Sequence, residues 1–154
     1  MKKERVYIAI GSNKGEKIKN IISGLKEIEK FLDIKKISFF YRNPPVNAKG
    51  GIFLNGAIEV ETNISPENLL EKLKNVEKKI GRKFPHQKGD AREIDFDIIF
   101  YGKKIIKTKK LIIPHPEFKK REFVLKPLLE INCKLKDPVS NNKLKEIYRK
   151  LKKT

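Results

Sequence analysis

Apolar positions recur along this chain with two periods, and the switches between them mark its elements. Val6-Tyr7-Ile8-Ala9-Ile10 is β-rich and halts at Gly11-Ser12-Asn13, a turn signal, which predicts a first strand. From about Lys14 to Leu32 the apolar residues are Ile18, Ile21, Ile22, Leu25, Ile28, Phe31 and Leu32, with Lys and Glu between them. That is helical spacing. Ile37-Ser38-Phe39-Phe40-Tyr41 predicts a second strand ended by Asn43-Pro44-Pro45, and Ile52 to Thr62 a third, with Phe53, Asn55, Ala57, Glu59 and Glu61 on one parity. Ser65-Pro66-Glu67 is a helix start, with Ser as N-cap, Pro in the first turn and an acid near the positive helix end. The helix continues through Leu69, Leu70, Leu73, Val76 and Ile80 to a stop at Gly81.

Ile94 to Tyr101 predicts a fourth strand that turns at Gly102, and Leu111 to Ile113 a short one ended by Pro114-His115-Pro116. A short helix is expected over Val124 to Ile131, then a final amphipathic helix carrying Leu144, Ile147, Tyr148 and Leu151. The order strand, helix, strand, strand, helix, strand is the split β-α-β pattern of ferredoxin-like α+β domains. It predicts a mainly antiparallel sheet with helices on one face, in a single domain over residues 1–154. Two stretches, 43–51 and 82–92, have no periodicity and are longer than packing requires, which suits functional loops.

Composition narrows the class. Hydrophobic residues make up 38% of 154, enough for a core, and 37 Lys and Arg against 19 Asp and Glu leave a net charge of +18. That charge favours anionic partners such as nucleotides, phosphorylated metabolites, nucleic acid or an acidic membrane surface, and it equally describes a solvated surface of lysines on helix faces. Cys133 is the sole cysteine, so no internal disulfide or Cys-based zinc site can form, and a half-buried packing role is expected for it. No apolar run reaches the length of a secretory signal core or a membrane span, so a cytoplasmic protein is expected.

The chemistry concentrates in Arg92-Glu93-Ile94-Asp95-Phe96-Asp97-Ile98. Strand alternation puts Asp95 and Asp97 on one face, roughly 7 Å apart at Cα, with Ile94, Phe96 and Ile98 on the other. Two such carboxylates repel unless a cation lies between them, and hard oxygen ligands suit Mg²⁺. The plainer reading, two acids on a solvated strand edge, is weakened by the basic chain around them and by the adjoining Arg92 and loop. In Pro114-His115-Pro116-Glu117-Phe118-Lys119-Lys120-Arg121-Glu122-Phe123, His115 and Arg121 can reach phosphate oxygens, and Phe123 offers a flat apolar face. Neither a Gly-x4-Gly-Lys-Ser/Thr loop nor Gly-x-Gly-x-x-Gly is present. If ATP is used, its phosphates must be held by Mg²⁺ and converging Arg, Lys and His side chains.

Six motifs in order carry a resemblance: Tyr7-Ile8-Ala9-Ile10-Gly11-Ser12-Asn13, Tyr41-Arg42-Asn43-Pro44-Pro45, Phe53-Leu54-Asn55-Gly56-Ala57, Gly81-Arg82, Arg92-x-x-Asp95-x-Asp97, and Leu111-x-x-Pro114-His115-Pro116 followed by Arg121-x-Phe123. Together, from about residue 6 to 131, they resemble the 6-hydroxymethyl-7,8-dihydropterin pyrophosphokinases of folate biosynthesis. The resemblance implies transfer of diphosphate from ATP to the hydroxymethyl-dihydropterin, giving AMP and the pterin diphosphate. It implies that Asp95 and Asp97 bind two Mg²⁺ ions, that Arg82 and Arg92 are the catalytic arginines, and that His115 and Arg121 hold phosphate oxygens. Glu77, Ile98, Lys110 and Ile112 would line the nucleotide site. Phe53 and Phe123 would sandwich the pterin, with Asn55 and the segment Asn43, Pro45 and Val46 reading its edge. ATP and the pterin are thus the expected partners, with no nucleic acid or membrane, and the next folate-pathway enzyme is a further candidate. Many members carry a second Arg and a Trp in the 82–92 loop, where this chain has Phe84 and Gly89, and many place an aromatic after the histidine, where it has Pro116.

A flat pterin rich in donors and acceptors suits two aromatic faces and one amide. Diphosphoryl transfer asks mainly for positioning and charge stabilisation. As metal ligands, the two aspartates are poor general bases, and no other convincing base is present. Two other classes share the predicted fold. An RNA-binding domain would present a Lys/Arg-Gly-Phe-type aromatic motif, which is missing, and paired aspartates would repel its ligand. A small-molecule regulatory domain would not need the Arg, Asp and His constellation.

Overall fold

A computed structural model describes residues 2–44, 51–81 and 92–153. The expectations for Pro45, Val46 and Arg82, and the loop positions Phe84 and Gly89, lie outside the described residues. Five strands form the main sheet: β1 (Glu4–Ser12), β2 (Asp33–Ile37), β3 (Tyr41–Asn43), β4 (Phe53–Thr62) and β5 (Asp95–Tyr101). Its order is β2-β4-β1-β5, with β3 also on β4, and every pairing is antiparallel. Helices α1 (Lys17–Ile28) and α2 (Pro66–Ile80) complete the split β-α-β unit. A second small sheet pairs β6 (Ile106–Lys107) with β7 (Ile112–Ile113), and α3 (Glu122–Ile131) and α4 (Leu144–Lys152) close the chain.

Alternation divides the sheet's side chains between two cores. Val6, Ile8, Ile10, Ile58, Val60, Phe96 and Ile98 pack with Ile21, Ile28, Leu69, Leu73 and Val76 of α1 and α2. On the other face, Tyr7, Ala57, Ile99 and Phe100 pack with Val124, Leu125, Leu128, Ile131 and Leu144 of α3 and α4. Helices therefore cover both faces, a correction to the one-face expectation: the C-terminal helices bury the Tyr7–Ala57 side instead of extending away from it. The split works because β5 is irregular. Its register against β1 slips between Tyr7 and Ile8, so Ile99 is an extra residue. Asp95 and Asp97 thereby share a face with Ile99 and Phe100, against Gly11, Ala9 and Tyr7.

The second strand departs from the expected Ile37–Tyr41. It lies earlier, as β2, and stops at Ser38, whose hydroxyl accepts from Ala57 N–H (2.9 Å) and donates to Phe39 C=O (2.7 Å). Phe40 then lies over Gly56, where a Cβ would meet its ring at 2.6 Å. The α2 boundaries agree with the caps: Ser65 Oγ accepts from Asn68 N–H at 3.3 Å, and Gly81 ends the helix at φ 137°. Cys133 is exposed, not half-buried, because it follows the end of α3. No helix among the described residues is long and apolar enough to cross a membrane.

Candidate active site

At one end of the sheet, the face that carries α3 and α4 has small residues on its central strand. Ala9 and Gly11 on β1 pair with Asp97 and Asp95 on one side and with Ala57 and Asn55 on the other. Gly11 has no room for a side chain, since a Cβ would meet Asn55 Oδ1 at 2.6 Å and the Phe53 ring at 3.5 Å. Asn55 is buried, and its Nδ2 donates to Asn43 Oδ1 at 2.9 Å, which joins β4 to β3. Phe123 packs against the α3/α4 core, with the Arg121 guanidinium 5.7 Å from its ring centre. Asn43, Phe53 and Asn55 are thus neighbours, and Gly11 separates Asn55 from Asp95.

Charged groups ring the two aspartates. Arg92 Nη1 lies 3.1 Å from Asp95 Oδ2, and His115 Nε2 lies 3.9 Å from Asp97 Oδ1. Enclosure by protein, then the like charges of Asp95 and Glu77, hold the Asp97 carboxyl well above the usual carboxylate range, while Arg121 and Arg92 offset part of this. Burial and the nearby Arg121 lower the His115 pKa, against smaller opposing effects from Asp95 and Glu117. Its Nδ1 accepts from Glu117 N–H at 3.2 Å, so the neutral ring carries its proton on Nε2, facing Asp97. The ring's place is set by His115 N–H, which donates to C=O of the bulged Ile99 at 3.2 Å.

The remaining nucleotide-site expectations have mixed positions. Glu77 is buried on α2, and its Oε2 accepts from Phe96 N–H at 2.7 Å, which satisfies the free edge of β5 between the two aspartates. The Ile98 side chain lies in the α1/α2 core, leaving only its backbone to meet a ligand. Lys110 is exposed, and Ile112 is 44% exposed on β7. Asn13, part of the first motif but given no role from sequence, is buried against Arg92. No local signal marks that long-range pairing.

Among the described residues, no group of three or more His, Cys, Asp or Glu converges to hold a metal alone. Two close carboxyl groups that repel each other, with the Arg92 guanidinium on one flank and a neutral His115 on the other, still fit Mg²⁺, which takes one or two carboxylates and completes its shell with phosphates and water.

The family model for 7,8-dihydro-6-hydroxymethylpterin-pyrophosphokinase matches residues 7–133. The chain is 42% identical over 142 residues to the 2-amino-4-hydroxy-6-hydroxymethyldihydropteridine pyrophosphokinase of Aquifex aeolicus, covering 92% of this chain and 88% of that one. It is 35% identical over 137 residues to the enzyme of the same name from Haemophilus influenzae, covering 87% and 85%. A folic acid synthesis protein of Pneumocystis carinii is 41% identical over 150 residues, of which this chain spans only 20%. Among solved structures, wild-type Plasmodium falciparum HPPK-DHPS shares the fold at a TM-score of 0.76 and 18% identity, over 97% of this chain and 45% of that one.

Proposed function

The chain belongs to the 7,8-dihydro-6-hydroxymethylpterin-pyrophosphokinase family and transfers pyrophosphate from ATP to hydroxymethyldihydropterin in folate synthesis, and we propose that the cluster at this end of the sheet carries that transfer. The observation that supports this site most strongly is the pairing of Asp95 and Asp97 on one strand face. Arg92 and His115 flank them, and Asn55 stands one strand away across Gly11.

On this reading, Asp95 and Asp97 hold Mg²⁺ with ATP, and the ions when bound would neutralise phosphate charge and draw the reacting groups together. Phe53, Phe123 and Asn55, with Asn43 behind Asn55, bind the pterin so that its hydroxymethyl group faces the metal side. Neutral His115 donates through Nε2, and Arg121 and Arg92 supply positive charge, to the phosphate oxygens. The pterin hydroxyl oxygen attacks the β-phosphorus and gives up its proton to solvent, the bond from β-phosphorus to the oxygen of the α-phosphate breaks, and AMP leaves. Fixed cations and N–H donors aimed at the charge that develops supply most of the rate. Glu77 acts on the site through Phe96, and Lys110 and Ile112 extend it towards the nucleotide. Relatives that hold a matching stretch inside longer folate-synthesis chains support contact with the next folate-pathway enzyme, which co-sedimentation with that enzyme would test.

Asp95→Asn and Asp97→Asn each test the assignment. Both variants should fold and lose at least about a hundredfold in turnover, roughly 2.7 kcal/mol of barrier. Folded variants with near-normal rates would make the pair ordinary surface acids.

A further inference from the structure

β1 ends between the two halves of the site. Its Gly11 lies against Asn55, and two residues on, Asn13 lies against Arg92. Asn13 is 2% exposed and grips Arg92 twice: its N–H donates to Arg92 C=O at 3.0 Å, and its side-chain Oδ1 accepts from Arg92 N–H at 2.8 Å. Both backbone groups of Arg92 are therefore held by one residue. Among the described residues, Asp95 ties the far end of the Arg92 side chain. Its Nη1 meets Asp95 Oδ2 at 3.1 Å, while its buried Nε has no hydrogen-bond partner among the described residues. The side chain is thus held at both ends, by the fixed backbone and by the Asp95 contact, and a shift of the backbone draws the guanidinium out of that contact. The next pair along the same seam, Lys14 with Glu93 at 3.4 Å, is half exposed and contributes little.

We propose that Asn13 is a positioning residue for the reaction: it fixes the backbone of Arg92, and so sets the guanidinium at the distance from Asp95 at which it meets the transferred phosphates. The inference deepens the proposed function and rests on the role given there to Arg92. The amide is suited to this because one short side chain supplies the acceptor while its own backbone supplies the donor, so both ties share one rigid unit. An arginine displaced by about 1 Å stabilises the transition state far less, although the ground-state complex still forms.

The test is a double-mutant cycle read in steady-state kinetics, with circular dichroism to confirm folding. Asn13→Ala should lower kcat about 10- to 100-fold while KM for the pterin moves by less than about threefold. Asn13→Asp, which keeps the acceptor oxygen for Arg92 N–H, should recover most of the loss. Asn13→Ser, whose hydroxyl is too short to span the gap, should behave like Ala and replaces it if Ala does not fold. In an Arg92→Ala background, removing Asn13 should cost no further activity, because its effect passes through that arginine. An impaired Arg92→Ala enzyme in which the Asn13 loss still multiplies, or an Asn13→Ala enzyme with wild-type kcat, overturns the positioning role alone. An Arg92→Ala enzyme with normal turnover removes the role of Arg92, and the proposal with it.

Discussion

Gly11→Ala is the smallest change that should separate pterin binding from nucleotide binding. The added Cβ would stand 2.6 Å from Asn55 Oδ1, where ordinary contact begins near 3.4 Å, so the amide must retreat by about 0.8 Å. Asn55 has little freedom to do so, being 8% exposed and tied through Nδ2 to Asn43 at 2.9 Å. Moving the amide that far lengthens that bond, breaks it, or takes the amide out of reach of the pterin edge. A buried hydrogen-bonding group left unmatched costs about 1–3 kcal/mol, which is about 5- to 150-fold in affinity. The neighbour on the other side, Asp95, is not among the atoms nearest the new methyl group. Titration calorimetry should show weaker pterin binding in the presence of Mg²⁺ and a non-hydrolysable ATP analogue, and unchanged binding of the analogue alone. A folded Gly11→Ala protein whose pterin Kd stays within about twofold, under ~0.4 kcal/mol, would refute the reasoning. An equal loss for both ligands would show a general collapse of the site.

Three further outcomes follow. Asn55→Ala should weaken the pterin by a comparable 1–3 kcal/mol, roughly, without touching ATP, and calorimetry showing equal losses would make Asn55 structural. At Asp137, burial pushes the carboxyl up, but Lys119 Nζ at 2.8 Å, Val139 N–H and the Ser140 hydroxyl together hold it below the usual range. A depressed folded value gives stability that is present above the unfolded value near pH ~4 and lost as pH falls below it, so Asp137→Asn should flatten the acid side of a Tm-against-pH curve, and an unchanged curve would contradict this. Exposed Cys133 should react with a thiol reagent in the folded protein without loss of turnover, and a protected thiol would contradict its placement after α3.

Long, one-period stretches were legible from residue order alone. β4 and β5 announced themselves by alternation, and α2 by Ser65, Pro66 and Gly81, because each signal is local. Asp95 and Asp97 were placed on their face by the same alternation. What failed depended on partners distant in sequence. Ser38 breaks a β-rich run because its hydroxyl finds Ala57, nineteen residues away. In Ile98-Ile99-Phe100-Tyr101 every residue is apolar, so nothing in the pattern shows that Ile99 is the extra one. β6 is only two residues, Ile106 and Lys107, too short to show a period. The side on which α3 and α4 pack, like the Asn13 clamp on Arg92, is decided by contacts across the whole chain.

The account rests on a pyrophosphoryl group, rather than a single phosphoryl group, leaving ATP. Mixing the protein with Mg²⁺-ATP and 6-hydroxymethyl-7,8-dihydropterin, and resolving nucleotides and pterins together by chromatography, measures this directly. AMP should appear in step with the pterin diphosphate and only when the pterin is present, whereas ADP as the main nucleotide product would contradict the account.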